Sequence, residues 1–285
     1  MLFITIETLN LMKELRFKDP EVRKSLLVFK SRPVGIPMEN RMTVGLLFDS
    51  TKCIACGACA QACKEQNHLP GEVEDHTTAY TWTTVSTVNG HNTRRLCMHC
   101  QEPTCASVCP VAALHKTPEG PVVYDADKCM GCRYCMMACP FDVPKYQWDR
   151  PVPVVGKCIM CYPRIQKGQP TACAEVCPVG ATIFGERKSL ILDAGERIRK
   201  NPDTYFNKIY GLREAGGTNV IMLASVEFGQ LGLKTNVPDE PPPMKTWQVL
   251  SKMPDFVAVW GASLYGIHWI TSRRDEVAKS EGSHQ

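Results

Sequence analysis

Sixteen cysteines lie between Cys53 and Cys177, and they fall into four sets of four. The first set, Cys53-x2-Cys56-x2-Cys59-x3-Cys63, has the spacing of the third, Cys129-x2-Cys132-x2-Cys135-x3-Cys139, and both match the bacterial ferredoxin run. The second, Cys97-x2-Cys100-x4-Cys105-x3-Cys109, and the fourth, Cys158-x2-Cys161-x11-Cys173-x3-Cys177, keep the outer spacings and vary the inner gap. A cubane needs four thiolates converging from different directions, whereas one short loop supplies three before its backbone runs away. In two-cluster ferredoxins the last cysteine of each run therefore ligates the other cluster. Pro110, Pro140 and Pro178 follow Cys109, Cys139 and Cys177 and bias those cysteines away from helical backbone; Lys64 follows Cys63 instead.

Other uses of cysteine fit less well. Disulfide frameworks belong to short secreted chains without room for a core, and this chain has 285 residues. Zinc sites use paired Cys-x2-Cys but rarely a third cysteine two residues on and a fourth three residues later. A c-type haem needs His directly after Cys-x2-Cys, and Gly57, Gln101, Arg133 and Tyr162 stand there.

Hydrophobic residues make up 44% and charged residues 22%, which is the balance of a globular protein. The net charge of +4 is interspersed rather than blocked, so nucleic-acid binding has little support. No phosphate-binding loop, dinucleotide fingerprint, His-Glu-x2-His or Gly-x-Ser-x-Gly is present, and no catalytic site of the chain's own is expected. Residues 1–42 read as an N-terminal arm, with neither a secretory apolar region nor a twin-arginine pair.

The chain repeats itself. Gly45 to Cys53 aligns with Pro121 to Cys129, each a short apolar strand followed by Asp, Lys and Cys, at an offset of 76 (53 to 129). The second and fourth sets end alike, in Cys109-Pro-Val-Ala-Ala-Leu114 and Cys177-Pro-Val-Gly-Ala-Thr182. Sets two and three have the layout of one two-cluster ferredoxin, inserted between sets one and four, which form the other. Cross-ligation then predicts four [4Fe–4S] clusters: Cys53, Cys56, Cys59 and Cys177 (cluster 1); Cys63, Cys158, Cys161 and Cys173 (cluster 2); Cys97, Cys100, Cys105 and Cys139 (cluster 3); Cys109, Cys129, Cys132 and Cys135 (cluster 4). The expected class is α+β: duplicated bacterial-ferredoxin-like domains over 43–190, with an inserted β-hairpin about Asn89-Gly90 that covers the clusters, plus a C-terminal single helix.

After the clusters, 191–233 reads as a partner-docking extension with a helix over Asp193–Lys200, and 234–252 as an extended proline-rich linker. Residues 253–272 form an apolar helix with Trp260, Tyr265 and Trp269, and 273–285 a polar tail. A membrane span is the expected use of that helix, with an interfacial or partner-docking role as the alternative. The excess of Arg273, Arg274 and Lys279 after the span would leave the tail cytoplasmic and the cluster domain on the periplasmic side. His268 is read as an ordinary polar residue. Lys52, Lys128 and Arg133 stand beside ligands, where they would either raise a cluster's potential or form a solvated rim.

The set Cys53-Ile-Ala-Cys-Gly-Ala-Cys59, Cys97-Met-His-Cys100, Cys129-Met-Gly-Cys-Arg-Tyr-Cys-Met-Met-Ala-Cys-Pro140 and Lys157-Cys-Ile-Met-Cys-Tyr162 resembles the four-cluster electron-transfer subunits of the molybdopterin oxidoreductases and of membrane-bound nickel-iron hydrogenases. Tyr210-Gly211 and Gly216-Gly-Thr-Asn-Val220 are similar to a stretch of the hydrogenase-2 and formate dehydrogenase-N types. The resemblance implies a relay from a large catalytic subunit to an integral-membrane quinone-reactive or cytochrome b subunit. A soluble polyferredoxin without fixed partner is the alternative.

Overall fold

A computed structural model of the chain describes residues 43–149 and 154–282; the arm expected over 1–42 lies outside the described residues. Strand β1 (Val44–Asp49) leads into the first cysteine loop and helix α1 (Ala58–Gln66). A hairpin follows, β2 (Thr84–Val88) and β3 (His91–Arg95), paired antiparallel with Val88 opposite His91. Asn89 and Gly90 at its tip have φ of 51° and 79°, the left-handed pair a two-residue turn needs. The inner ferredoxin unit comprises α2 (Thr104–Ser107), β4 (Leu114–Lys116), β5 (Val122–Tyr124) and α3 (Tyr134–Ala138). The chain then forms the short pair β6 (Lys145–Tyr146) and β7 (Val155–Gly156), α4 (Tyr162–Ile165), α5 (Ala172–Glu175), β8 (Thr182–Glu186), α6 (Arg187–Lys200), β9 (Val220–Leu223), α7 (Pro242–Leu250) and α8 (Met253–Gly282).

The strand register carries the duplication into three dimensions. The strand before the first cysteine set pairs with the strand after the fourth, and Phe48 faces Thr182. The strand after the second set pairs with the strand before the third, and Tyr124 faces Leu114. Tyr124 is the repeat-equivalent of Phe48 and Leu114 that of Thr182, so the same two positions meet in both ferredoxin-like units. Only the outer unit gains a third strand: β9 runs parallel to β1, giving the order β8-β1-β9.

Alternation along β1 divides the interior. Leu46 and Phe48 join the large core with Met98, Met160, Tyr210, Val220 and Met222. Leu47 turns to the other face, with Ile221 and Leu223 of β9 and Leu190 and Ala194 of α6. The expected helix over Asp193–Lys200 thus begins at Arg187, and the extension supplies a fully buried strand of the core.

Two further expectations need correction. The proline-rich segment is not extended throughout: Pro242 and Pro243 open α7 at positions whose N–H groups have no intrahelical acceptor, so their missing donors cost nothing there. The apolar segment 253–272 does form a helix, but among the described residues no helix is long and apolar enough to cross a membrane. Gly261, Ser263, Gly266, His268 and Thr271 dilute the apolar run, and Arg273 to Glu276 continue the same helix as charge. The single-pass reading is withdrawn, and the orientation argument built on it lapses.

Candidate metal centres

None of the sixteen cysteines is joined in a disulfide. The fold brings cysteines from different sets to shared cavities. Cys53, Cys56, Cys59 and Cys177 line one cavity together with Val85 and Thr182. Cys63, Cys158, Cys161 and Cys173 line a second with Thr83 and Arg94, and Cys109, Cys129, Cys132 and Cys135 line a third with Tyr124 and Tyr146. Cys97, Cys105 and Cys139 stand within electrostatic reach of Cys100, which completes the fourth quartet.

Local backbone explains the spacings. In the first Cys-x2-Cys of each set the residue before the second cysteine is left-handed: Ala55 (φ 55°), His99 (49°), Gly131 (76°) and Met160 (54°). Such a residue turns successive N–H groups into one concavity, an anion-binding arrangement common at Fe–S sites. After each Cys-Pro the chain makes the same turn, with Ala112, Asp142 and Gly180 donating N–H to the carbonyls of Cys109, Cys139 and Cys177 at 3.2 Å each. Cys139 itself is extended, with φ −72° and ψ 117°, as the following proline demands. Lys64 lets α1 run on to Gln66, and its buried ammonium donates to the carbonyls of Pro70 and Tyr80. The Asp common to both repeats forms the turn before each Lys-Cys: Asp49 Oδ1 accepts from Thr51 N, and Asp125 Oδ1 from Asp127 N, both at 3.1 Å.

Electrostatics test whether the quartets suit iron-sulfur clusters. Burial pushes the thiols of Cys63 and Cys105 up to about 12 and that of Cys139 to about 11. Neighbouring thiolates so placed are mutually unfavourable unless a cationic metal core draws off their protons. His99 is fully buried; its Nδ1 accepts the Val122 N–H at 2.9 Å, which leaves Nε2 as the donor, and Nε2 has no partner among the described residues. A covered N–H of this kind suits the sulfur of a cluster held by the flanking Cys97 and Cys100. Among the described residues no group of three or more His, Cys, Asp or Glu side chains is arranged to hold a single metal ion. Four thiolates from two separate cysteine sets lining one cavity are the donor set a cubane takes.

Several cations at the sites escaped sequence reasoning. Lys52 and Arg133 are exposed, and Lys128 pairs with Asp125 at 2.7 Å, so these three are rim charges. Besides Lys64, the buried cations are Arg94 and Lys157, 1% and 2% exposed. Lys157 Nζ donates to the carbonyls of Val122 and Cys158, and Lys116 Nζ to those of His99 and Cys100. Lys52, Lys128 and Lys157 each precede a cysteine, and only packing distinguishes the third.

A duplicated ferredoxin-like scaffold with four converging cysteine quartets is an iron-sulfur protein of the dicluster class. Two family models described as "4Fe-4S dicluster domain" match, over residues 52–113 and 87–187. Hydrogenase-2 operon protein HybA of Escherichia coli O157:H7 is 38% identical over 246 residues, 68% of this chain and 75% of HybA. A protein of Nitratidesulfovibrio vulgaris is 40% identical over 255 residues, 83% of this chain and 69% of that protein. The formate dehydrogenase-O iron-sulfur subunit of Escherichia coli K12 is 29% identical over 263 residues, covering 82% and 86%. The chain belongs to this family of iron-sulfur electron-transfer subunits and carries four [4Fe–4S] clusters.

Proposed function

We propose that the chain conducts electrons along its four clusters in the order 1, 2, 3, 4, held by the quartets given above. The observation that carries this reading is the convergence of each quartet, with the quartets meeting in series. Cys59 and Cys173 are electrostatic neighbours across quartets 1 and 2, Cys158 and Cys97 across 2 and 3, and Cys105 and Cys135 across 3 and 4. Quartet 2 is wholly buried, whereas Cys56 of quartet 1 is exposed. Exposed apolar side chains rim the two ends: Ile54 and Val179 by quartet 1, and Met130, Tyr134 and Met137 by quartet 4. An insulated middle with apolar ends suits a wire between two protein partners.

The partner at one end is a large catalytic subunit, of the nickel-iron hydrogenase or molybdopterin class. The relatives named for hydrogenase-2 and formate dehydrogenase support this. The partner at the other end is an integral-membrane quinone-reactive or cytochrome b subunit. Helix α8, exposed along Phe256, Trp260, Leu264 and Trp269, serves as a docking or interfacial helix toward it. The hairpin is an insertion that roofs clusters 1 and 2.

Anaerobic purification of the tagged chain from its source tests the assignment. About sixteen irons per chain and a co-purifying large subunit bearing nickel or molybdenum are expected. A fully loaded chain that runs alone under all detergent conditions would leave the polyferredoxin reading in place.

A further inference from the structure

Arg94 lies on the hairpin strand β3 and is one of the largest side chains buried to less than 2% exposure. Its guanidinium borders the cavity of quartet 2, and its Nη1 donates to Thr182 Oγ1 at 3.0 Å; Thr182 in turn lines the cavity of quartet 1. Nε donates to Thr83 Oγ1, also at 3.0 Å. The side chain therefore sits between the first two quartets, held by two neutral hydroxyls. Among the described residues no carboxylate pairs with it. A buried guanidinium without a counter-ion is strongly unfavourable, so its counter-charge must come from something else in the same place.

We infer that Arg94 is the fixed counter-ion of clusters 1 and 2 and holds their reduction potentials up. This rests on the cluster reading above. A [4Fe–4S] core bound by four thiolates is a net anion in both redox states and gains one further negative charge when it accepts an electron. A fixed neighbouring cation stabilises the reduced state more, with no proton required. Lys157 has a similar placement beside Cys158 and Cys105, so a cation also stands where clusters 2 and 3 adjoin.

The test is a redox titration of the assembled complex followed by electron paramagnetic resonance, with iron measured on every sample. In Arg94→Met, iron stays at the wild-type count while clusters 1 and 2 move to lower potential and clusters 3 and 4 hold. Arg94→Lys restores most of the shift, which a merely structural role would not do. Full iron with four unmoved potentials, or an equal shift in all four, overturns the inference. Iron far below sixteen per chain in the wild type overturns the cluster reading instead. Should Arg94→Met fail to load, unmodified protein grown with 15N-arginine decides: a nitrogen hyperfine coupling to a reduced cluster is expected, and its absence overturns the inference.

Discussion

Asp49 holds the outer unit together at a single residue. Its carboxylate is fully buried and accepts from Thr51, from Arg197 Nη1 at 2.9 Å and from the Tyr205 hydroxyl at 2.9 Å. It thereby ties β1 to α6 and to the segment beyond. Asp49→Ala leaves Arg197 with only Asp193 and removes a charged acceptor from the interior, a loss of about 2 kcal/mol. Chemical denaturation of loaded protein checks that value, and Asp125→Ala, whose carboxylate reaches only its own turn and the exposed Lys128, should cost far less. The repeat made the two aspartates look equivalent, and burial by α6 separates them. The lysines before cysteines behave in the same way: sequence places Lys52, Lys128 and Lys157 alike, and only the last is covered. Arg94 had no sequence signal at all, since nothing in a polar β-strand says that another unit will close over it.

The cysteine loops and their flanking helices act at the next scale. A left-handed residue in the first Cys-x2-Cys of each set is what makes that two-residue gap work, and three of the four positions, Ala55, His99 and Met160, hold it at a cost of about 1–2 kcal/mol against right-handed backbone. Gly131→Val puts a β-branched residue at φ 76°, and loaded protein should lose stability by at least that amount and release iron sooner under chelator challenge. Group one departs from the others because Lys64 replaces proline. Lys64→Pro breaks α1 between Cys63 and Gln66 and removes the buried ammonium contacts; about 3 kcal/mol is expected, read as a lowered midpoint of unfolding. In β7, a Cβ on Gly156 would stand 2.1 Å from the Ala79 carbonyl oxygen, so the glycine marks a close approach of two backbones. The opening of α7 by Pro242 was not legible because prolines signal both helix starts and extended linkers, and the difference lies in what the following residues can form.

Across the whole molecule, the proposed relay has the nested pairing of sets one with four and two with three put four quartets in a row. Cys135→Ala should remove cluster 4 alone, leaving about twelve irons by the ratio of ligands. Flow to the membrane acceptor would stop while the catalytic partner still reduces an artificial dye; uninterrupted flow would break the serial arrangement. Deleting residues 251–285 removes α8, which makes few contacts with the cluster body, and should spare iron content and spectra while releasing the second partner in pull-down assays.

The sequence by itself determined the cluster type and the number of clusters, because ligand loops are local and their spacings mirror a fixed inorganic geometry. Tertiary structure alone decided which cations are buried and that β9 joins the outer sheet. Those outcomes depend on what packs over a residue, and burial is a property of the assembled surface rather than of any short stretch of chain.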